Sequence, residues 1–243
     1  MRQTKRIAML MLLGLAVMGG SVQAQTMAHG ATDNVSNEGV APRFEDYFSK
    51  ATTGVSAPDA DGFIRRWLLL EPIDKPNRSN TVFTDSYLRT EFGHEYFKGQ
   101  LTSVPKDGQT VKVGDQKLQW HALDATRFNV KLFRFASCLD KQVYGVLFWA
   151  ATVIDCPEEI RDVRLSVGSN SASMWWIDGK EVVLLSGDRR MVMDDVQSDR
   201  ITLHKGRNIL WGAIINGPGM SDFCVRFIDA AGKPVTNVSV VLK

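Results

Sequence analysis

The side chains best equipped for chemistry fall in three short stretches. They are SMWWIDGK (Ser173 to Lys180), SGDRRMVMDD (Ser186 to Asp195) and INGPGMSD (Ile215 to Asp222). Between them they supply two adjacent indoles, Trp175 and Trp176, and a set of polar groups: Asp178, Arg189, Arg190, Asp194, Asn216 and Asp222. Such residue types suit a sugar. A pyranose has an apolar C–H face that stacks on an aromatic ring, and its hydroxyls take planar polar partners. The expected platform is Trp175 or Trp176, with the six polar residues as its partners. The competing reading is that both indoles are packing residues. Strand alternation places them on opposite faces. Trp176 then shares a face with Met174, and Trp175 with Ser173 and Ile177. Met174 argues for Trp176 inward and Ile177 for Trp175 inward. The pattern leaves the choice open, with a lean towards Trp176 inward and Trp175 outward.

Other chemistries find less support. Hydrolysis of an ester needs an activated nucleophile, a base and an oxyanion hole. The Gly-x-Ser-x-Gly turn is absent, and Ser186-Gly187-Asp188 runs in the wrong order for the Gly-Asp-Ser type. Ser86 and His94, with Asp85 nearby, form the one local set, yet eight residues of helix separate them by about 12 Å. No catalytic residue is assigned. There is no His-x-His, HExxH or Cys/His cluster, so no metal site and no cofactor are expected. Asp59-Ala60-Asp61-Gly62 and Asp194-Asp195 hint at calcium, but a turn and a solvated loop are the more ordinary readings. A phosphate-binding Gly-rich loop is missing too.

These residues have to be held by a fold. At 243 residues and 44% hydrophobic, the chain can bury a sizeable core as one domain. Residues 1–24 read as a signal peptide: Arg2, Lys5 and Arg6, an apolar run from Ile7 to Met18, then small residues up to Ala24. The run is too short to span a membrane comfortably. Residues 25–42 read as a flexible leader and 43–243 as a single β-sandwich domain. Short helices are expected near 43–54 and 84–97. Beyond them the pattern has period 2, with turn signals at Gly114-Asp115, Asp178-Gly179, Lys205-Gly206 and Ala231-Gly232. VKLFRFA, from Val130 to Ala136, is read as one of these strands. Many short strands joined by hairpin turns predict an all-β antiparallel sandwich.

Loss of residues 1–24, with three positive charges, takes the formal net charge from +2 to −1. No basic face fit for nucleic acid stands out. Three cysteines remain. Cys138 and Cys156 are placed at opposite ends of a hairpin strand, about 13 residues or roughly 43 Å apart. A disulfide needs about 6 Å between Cα atoms. Free, mostly buried thiols are expected, with a bridge to Cys224 left open.

Several blocks carry a family resemblance. WLLLEPI, KLQWHALD, the run from Val143 to Val183 and DRITLHKGRNILWGAIINGPGMSDFCVRFIDAAGKPV resemble the galactose-binding-like jelly-roll modules of secreted bacterial carbohydrate-active proteins. Glu71 and Ile73 stand where that family has Gly and Phe. Asn170-Ser171-Ala172 stands where many members have Asp-Asp-Gly. Nearly the whole mature length is similar to Bacteroidetes proteins labelled acetylxylan esterases. The resemblance implies a secreted or periplasmic β-sandwich that binds a polysaccharide of xylan type or serves a degrading system as an accessory. Its alternatives are an acetylxylan esterase and a structural module docked on a partner enzyme. The signal peptide is directly testable. Mass spectrometry of the exported protein is expected to find Gln25 as the first residue; recovery of the intact Met1 form from the membrane would refute cleavage.

Overall fold

Period-2 patterning carries most of the chain into strands. The computed structural model describes residues 42–52 and 54–243, so the expected signal peptide and residues 25–41 of the leader lie outside the described residues. In chain order the strands are β1 (Phe48–Lys50), β2 (Arg66–Leu70), β3 (Ile73–Asp74), β4 (Thr110–Val113), β5 (Gln116–Ala125), β6 (Val146–Cys156), β7 (Ile160–Asn170), β8 (Ala172–Ile177), β9 (Lys180–Leu185), β10 (Val196–Gln197), β11 (Ile201–Leu203), β12 (Gly206–Asn216), β13 (Asp222–Ile228) and β14 (Ser239–Val241). Two short α-helices join them, α1 (Asp85–Phe92) and α2 (Leu132–Cys138).

Every pairing between these strands is antiparallel. The large sheet runs β1-β5-β2-β6-β12-β8-β9. Its spine is the β6–β12 ladder, in register from Gly206↔Cys156 to Asn216↔Val146. The other side of β6 is shared by β14, β2 and β3 in turn. Pro72, which cannot donate to a ladder, separates β2 from β3. At its outer edge β5 meets β1 over Leu123 to Ala125 and β4 over Gln116 to Gln119. Between those two pairings the Asp107 carboxylate, not a strand, accepts the Ala122 N–H at 2.9 Å. In the small sheet, β7 lies between β13 on one side and β10 and β11 on the other. The two sheets face each other as an antiparallel β-sandwich.

The large sheet is buried on both faces. Towards the small sheet, Trp67, Trp175 and Phe223 meet edge to face with centroids 5.0–5.9 Å apart. Leu165, Val167 and Val225 of the small sheet complete that core. On the opposite face, Trp120, Trp149, Trp176 and Trp211 form a second core. It is roofed by Phe83, Leu88, Phe92 and Phe97, which come from α1 and its flanking turns. Trp149 stacks on Trp176 at 5.7 Å, and Phe92 meets Trp176 edge-on at 6.2 Å. The lean towards an outward Trp175 is therefore corrected. Trp175 is wholly buried in the sandwich, and Trp176 lies under α1 with 5% exposure. Burial on both faces also explains why β6 (VLFWAATVIDC) is almost continuously apolar rather than alternating.

Three local expectations change. Among the described residues of 43–54 the helical part is a 3₁₀ turn, Phe44–Asp46, after which β1 pairs with β5. Pairing to an available edge outweighs the weak helical stripe. Helix α1 ends at Phe92 rather than 97, where the Gly93 N–H bonds to the Arg89 carbonyl at 3.1 Å. The segment Val130 to Ala136, expected as a strand, is mostly α2: Leu132, Phe135 and Ala136 have helical spacing and are buried on one face. Cys138 thus ends a helix instead of a hairpin, and all three thiols are free.

Gly212, opposite Trp175 in the β12–β8 ladder, leaves the space that the indole fills. A Cβ there would lie inside the ring's van der Waals envelope. Trp175→Ala and Trp176→Ala are each expected to cost about 3–5 kcal/mol, and Gly212→Ala about 1–3 kcal/mol by overpacking. Chemical denaturation measures all three. An unchanged midpoint for either tryptophan variant contradicts two-sided burial.

Candidate functional site

One end of the sandwich gathers four connections: 75–84 before α1, 139–145 after α2, 186–195 after β9 and 217–221 between β12 and β13. Asn80 holds three of them. Its Oδ1 accepts the Gly217 N–H at 2.8 Å, and its Nδ2 donates to Asp188 Oδ1 at 2.9 Å and to the Pro218 carbonyl at 3.1 Å. The fourth joins through Gly145, whose N–H reaches the Gly217 carbonyl and whose carbonyl accepts from Lys75. Gly145 has φ +61°, and a Cβ on it would stand 3.1 Å from the Pro76 Cα. Only glycine lets these loops close so tightly.

The closure leaves a cleft of about 630 Å³. Asp74, Asn77 and Arg78 line one wall, and Gln142 and Tyr144 the other. Tyr144 is 47% exposed. Its ring rests against Phe133 at a centroid distance of 5.8 Å. Phe133 lies on α2, and its N–H donates to the Ser221 carbonyl at 2.9 Å. The turn into α2 is anchored by a buried ion pair, Lys131 Nζ to Asp222 Oδ2 at 3.1 Å, with Asn129 donating to the same oxygen at 2.9 Å. The Tyr144 loop is also tied from behind. Lys141 pairs with the buried Glu71 at 3.1 Å, and His121 faces the other Glu71 oxygen at 3.3 Å. Glu71, which stands where the resembling family has glycine, is thus a loop anchor.

The expected site residues scatter. Trp175 and Trp176 offer no ring face to solvent. Asp178 lies at the far end of β8, where it forms the β8–β9 turn with Gly179 (φ 49° and 78°) and its carboxylate accepts the Ile209 N–H at 2.8 Å. Asn216 is fully buried and donates to the Gly219 carbonyl at 2.8 Å. Asp222 is buried in the pair just described. Arg189 binds Asp195 and the Ser186 carbonyl, and Arg190 is exposed on the same loop. Asp194 bonds to Arg226 and, at 2.6 Å, to Ser166. Three of these residues therefore build the loop end without lining its cleft, Arg189, Asn216 and Asp222, whereas Asp194 is tied to the Ser166–Arg226 pair within the small sheet.

Ser86 bonds to Thr84 across the first turn of α1, and the His94 ring packs edge-on against Tyr96. Asp59 closes a turn, its Oδ1 accepting the N–H groups of Asp61 and Phe63. No group of three or more His, Cys, Asp or Glu able to hold a metal occurs among the described residues. No helix among them is long and apolar enough to cross a membrane.

The cleft-lining residues that sequence reasoning does not single out are Asp74, Asn77, Arg78, Gln142 and Tyr144. Their signal was an aromatic inside a polar loop, KQVYG, together with the DKPNRSN loop.

No protein-family model matches the sequence, and no curated protein matches it. Among solved structures the chain is similar to the PA14 sugar-binding domain from an RTX adhesin, with 9% identity, 72% of this chain and 96% of that one covered, and a TM-score of 0.42. It is similar to the PA14 domain of the MpAFP antifreeze protein at 12% identity, over 79% of this chain and 96% of that one, with a TM-score of 0.42. A β-glucosidase from Kluyveromyces marxianus aligns at 18% identity over 59% of this chain and 17% of that one, with a TM-score of 0.32.

Burial alone would raise the Asp194 carboxyl, but the hydrogen bonds from Arg226 and Ser166 outweigh it and hold the group below the usual carboxylate range. A group depressed in the folded state stabilises above its unfolded pKa, about 3.9, and that stability is lost as pH falls through the folded value. Asp194→Asn tolerates the positive φ of 56° and removes the charge. It is expected to cost about 1–3 kcal/mol at pH 7. Its melting temperature should converge on that of the parent as pH drops below about 4. A difference that persists unchanged at pH 2 contradicts this assignment.

Proposed function

We propose that the protein binds carbohydrate in the cleft between the 74–78 and 142–145 loops. The observation that carries this reading is the half-exposed Tyr144 ring, fixed against Phe133 in a cleft walled by Asp74, Asn77, Arg78 and Gln142. An aromatic ring held in place receives the apolar face of a pyranose at little entropic cost. A carboxylate, two amides and a guanidinium suit the donor and acceptor pairs of sugar hydroxyls. The sequence resemblance to secreted carbohydrate-active modules makes plant polysaccharide of xylan type the first ligand to test. It supports an exported accessory to a degrading system. In this reading the loop anchors Asn80, Gly145, Glu71 and Asp222 hold the cleft in shape, and binding is the whole of the activity.

Affinity electrophoresis on xylan and other plant polysaccharides, followed by titration calorimetry with oligosaccharides of the retained polymer, tests it. Tyr144→Ala is expected to weaken binding about tenfold, the equivalent of roughly 1.4 kcal/mol of lost stacking. The unfolding midpoint should stay in place because the ring is half in solvent. Retardation by no polysaccharide, or full affinity in Tyr144→Ala, rejects the site. Acetate released from acetylated xylan by the purified protein rejects a purely binding role.

A further inference from the structure

A second cavity lies away from the loop end, on the α1-side face of the large sheet beside the gap between β1 and β4. It encloses about 470 Å³, within the range of small-molecule sites. Its apolar lining comes from Ala51, Val55 and Leu242, over the buried Leu68 of β2 and Ala122 of β5. Val55, 69% exposed, is part of its lining.

The charges around it are unequal. Arg66 is already committed, with two nitrogens on Asp124 at 2.8 Å and the third on the Gly54 carbonyl. The Asp107 carboxylate accepts from Ala122 and lies 3.5 Å from Lys50 Nζ. Lys106 and Lys243 also line the cavity, and no ion pair among the described residues involves either of them. Lys50 and Asp107 thus pair with each other, which leaves the Lys106 and Lys243 side chains in the lining without a carboxylate partner. Burying the apolar part of a ligand here gains the hydrophobic term. A negative head at the mouth gains from the unmatched ammonium groups.

We infer that this cavity binds a single-headed anionic amphiphile, a medium-length acyl chain ending in a carboxylate. The apolar lining takes the chain, and the Lys106 ammonium takes the head, helped by Lys50, which shares its charge with Asp107. A free sugar acid fits poorly, since its hydroxyls would meet Leu68, Ala122 and Leu242 without partners.

Titration of the whole protein with sodium decanoate, below its micelle concentration and followed by calorimetry, tests the inference. Decanol and glucuronate are the comparison ligands. Saturable binding of decanoate is expected, weakened about tenfold or more in Lys50→Gln/Lys106→Gln and by added salt. Val55→Asp, at an exposed position, should weaken decanoate and spare decanol. Tyr144→Ala should leave decanoate binding intact, which separates this cavity from the proposed glycan cleft. Absence of saturable decanoate binding overturns the inference, as does equal binding of decanol and decanoate in the parent. Glucuronate binding that is lost in the lysine variant also overturns it.

Discussion

The structure depends on a sheet whose central strands are buried on both faces. β6 and β12 pair over eleven residues, and hydrophobic side chains leave them in both directions. Two cores must then be filled at once, and the six tryptophans divide between them: Trp67 and Trp175 on one side, Trp120, Trp149, Trp176 and Trp211 on the other. A strand between two cores has no tolerance for slippage, because a one-residue shift would exchange their contents. Gly212 shows how closely the register is set, since it leaves room for Trp175 and for nothing larger. Helix α1 is held in place by this demand. Its mean propensity is modest, and it is kept by roofing Trp149 and Trp176 rather than by its own sequence.

A rigid centre permits an irregular end. The four connections at the loop end lack a ladder of their own, so their backbone groups find partners in one another and in the Asn80 side chain. Buried charge contributes to the same end. Lys131 and Asp222 stand close together with Asn129 beside them, an arrangement that is costly to break once made. The result is a cleft whose walls are fixed by contacts within the protein itself.

How much of this was legible in the sequence differs by element. The hairpin turns at Gly114-Asp115 and Asp178-Gly179 and the long strands β6, β12 and β13 were readable, because turn chemistry and period-2 patterning are local. The second core was legible only as the competing reading in which both indoles pack. Its sign is the unbroken apolar run of β6; the reading in which both indoles pack is the one the structure bears out, and the lean towards an outward Trp175 is not. α2 was mistaken for a strand because seven residues fit either period, and only the packing of Leu132, Phe135 and Ala136 decides. The site was hidden for a different reason. Tyr144 is brought to Arg78 and Asn77 by contacts among Gly145, Gly217 and Asn80, which are distant in sequence. Conversely Asp178, Asn216 and Asp222 have the right chemistry, yet their oxygens or nitrogens go to holding backbone and neighbours.

Asp107 has a consequence beyond the cavity it borders. The outer edge of β5 is divided into β1, three residues long, and β4, four residues long, with a carboxylate between them. A long unbroken edge strand is a template on which another chain can add itself. Here an incoming strand would meet only a short run of ladder before reaching a carboxylate. The interruption thus acts as a guard against edge-to-edge polymerisation, in a protein whose interior strands, with runs such as VLFWAATVI, would be hazardous if exposed.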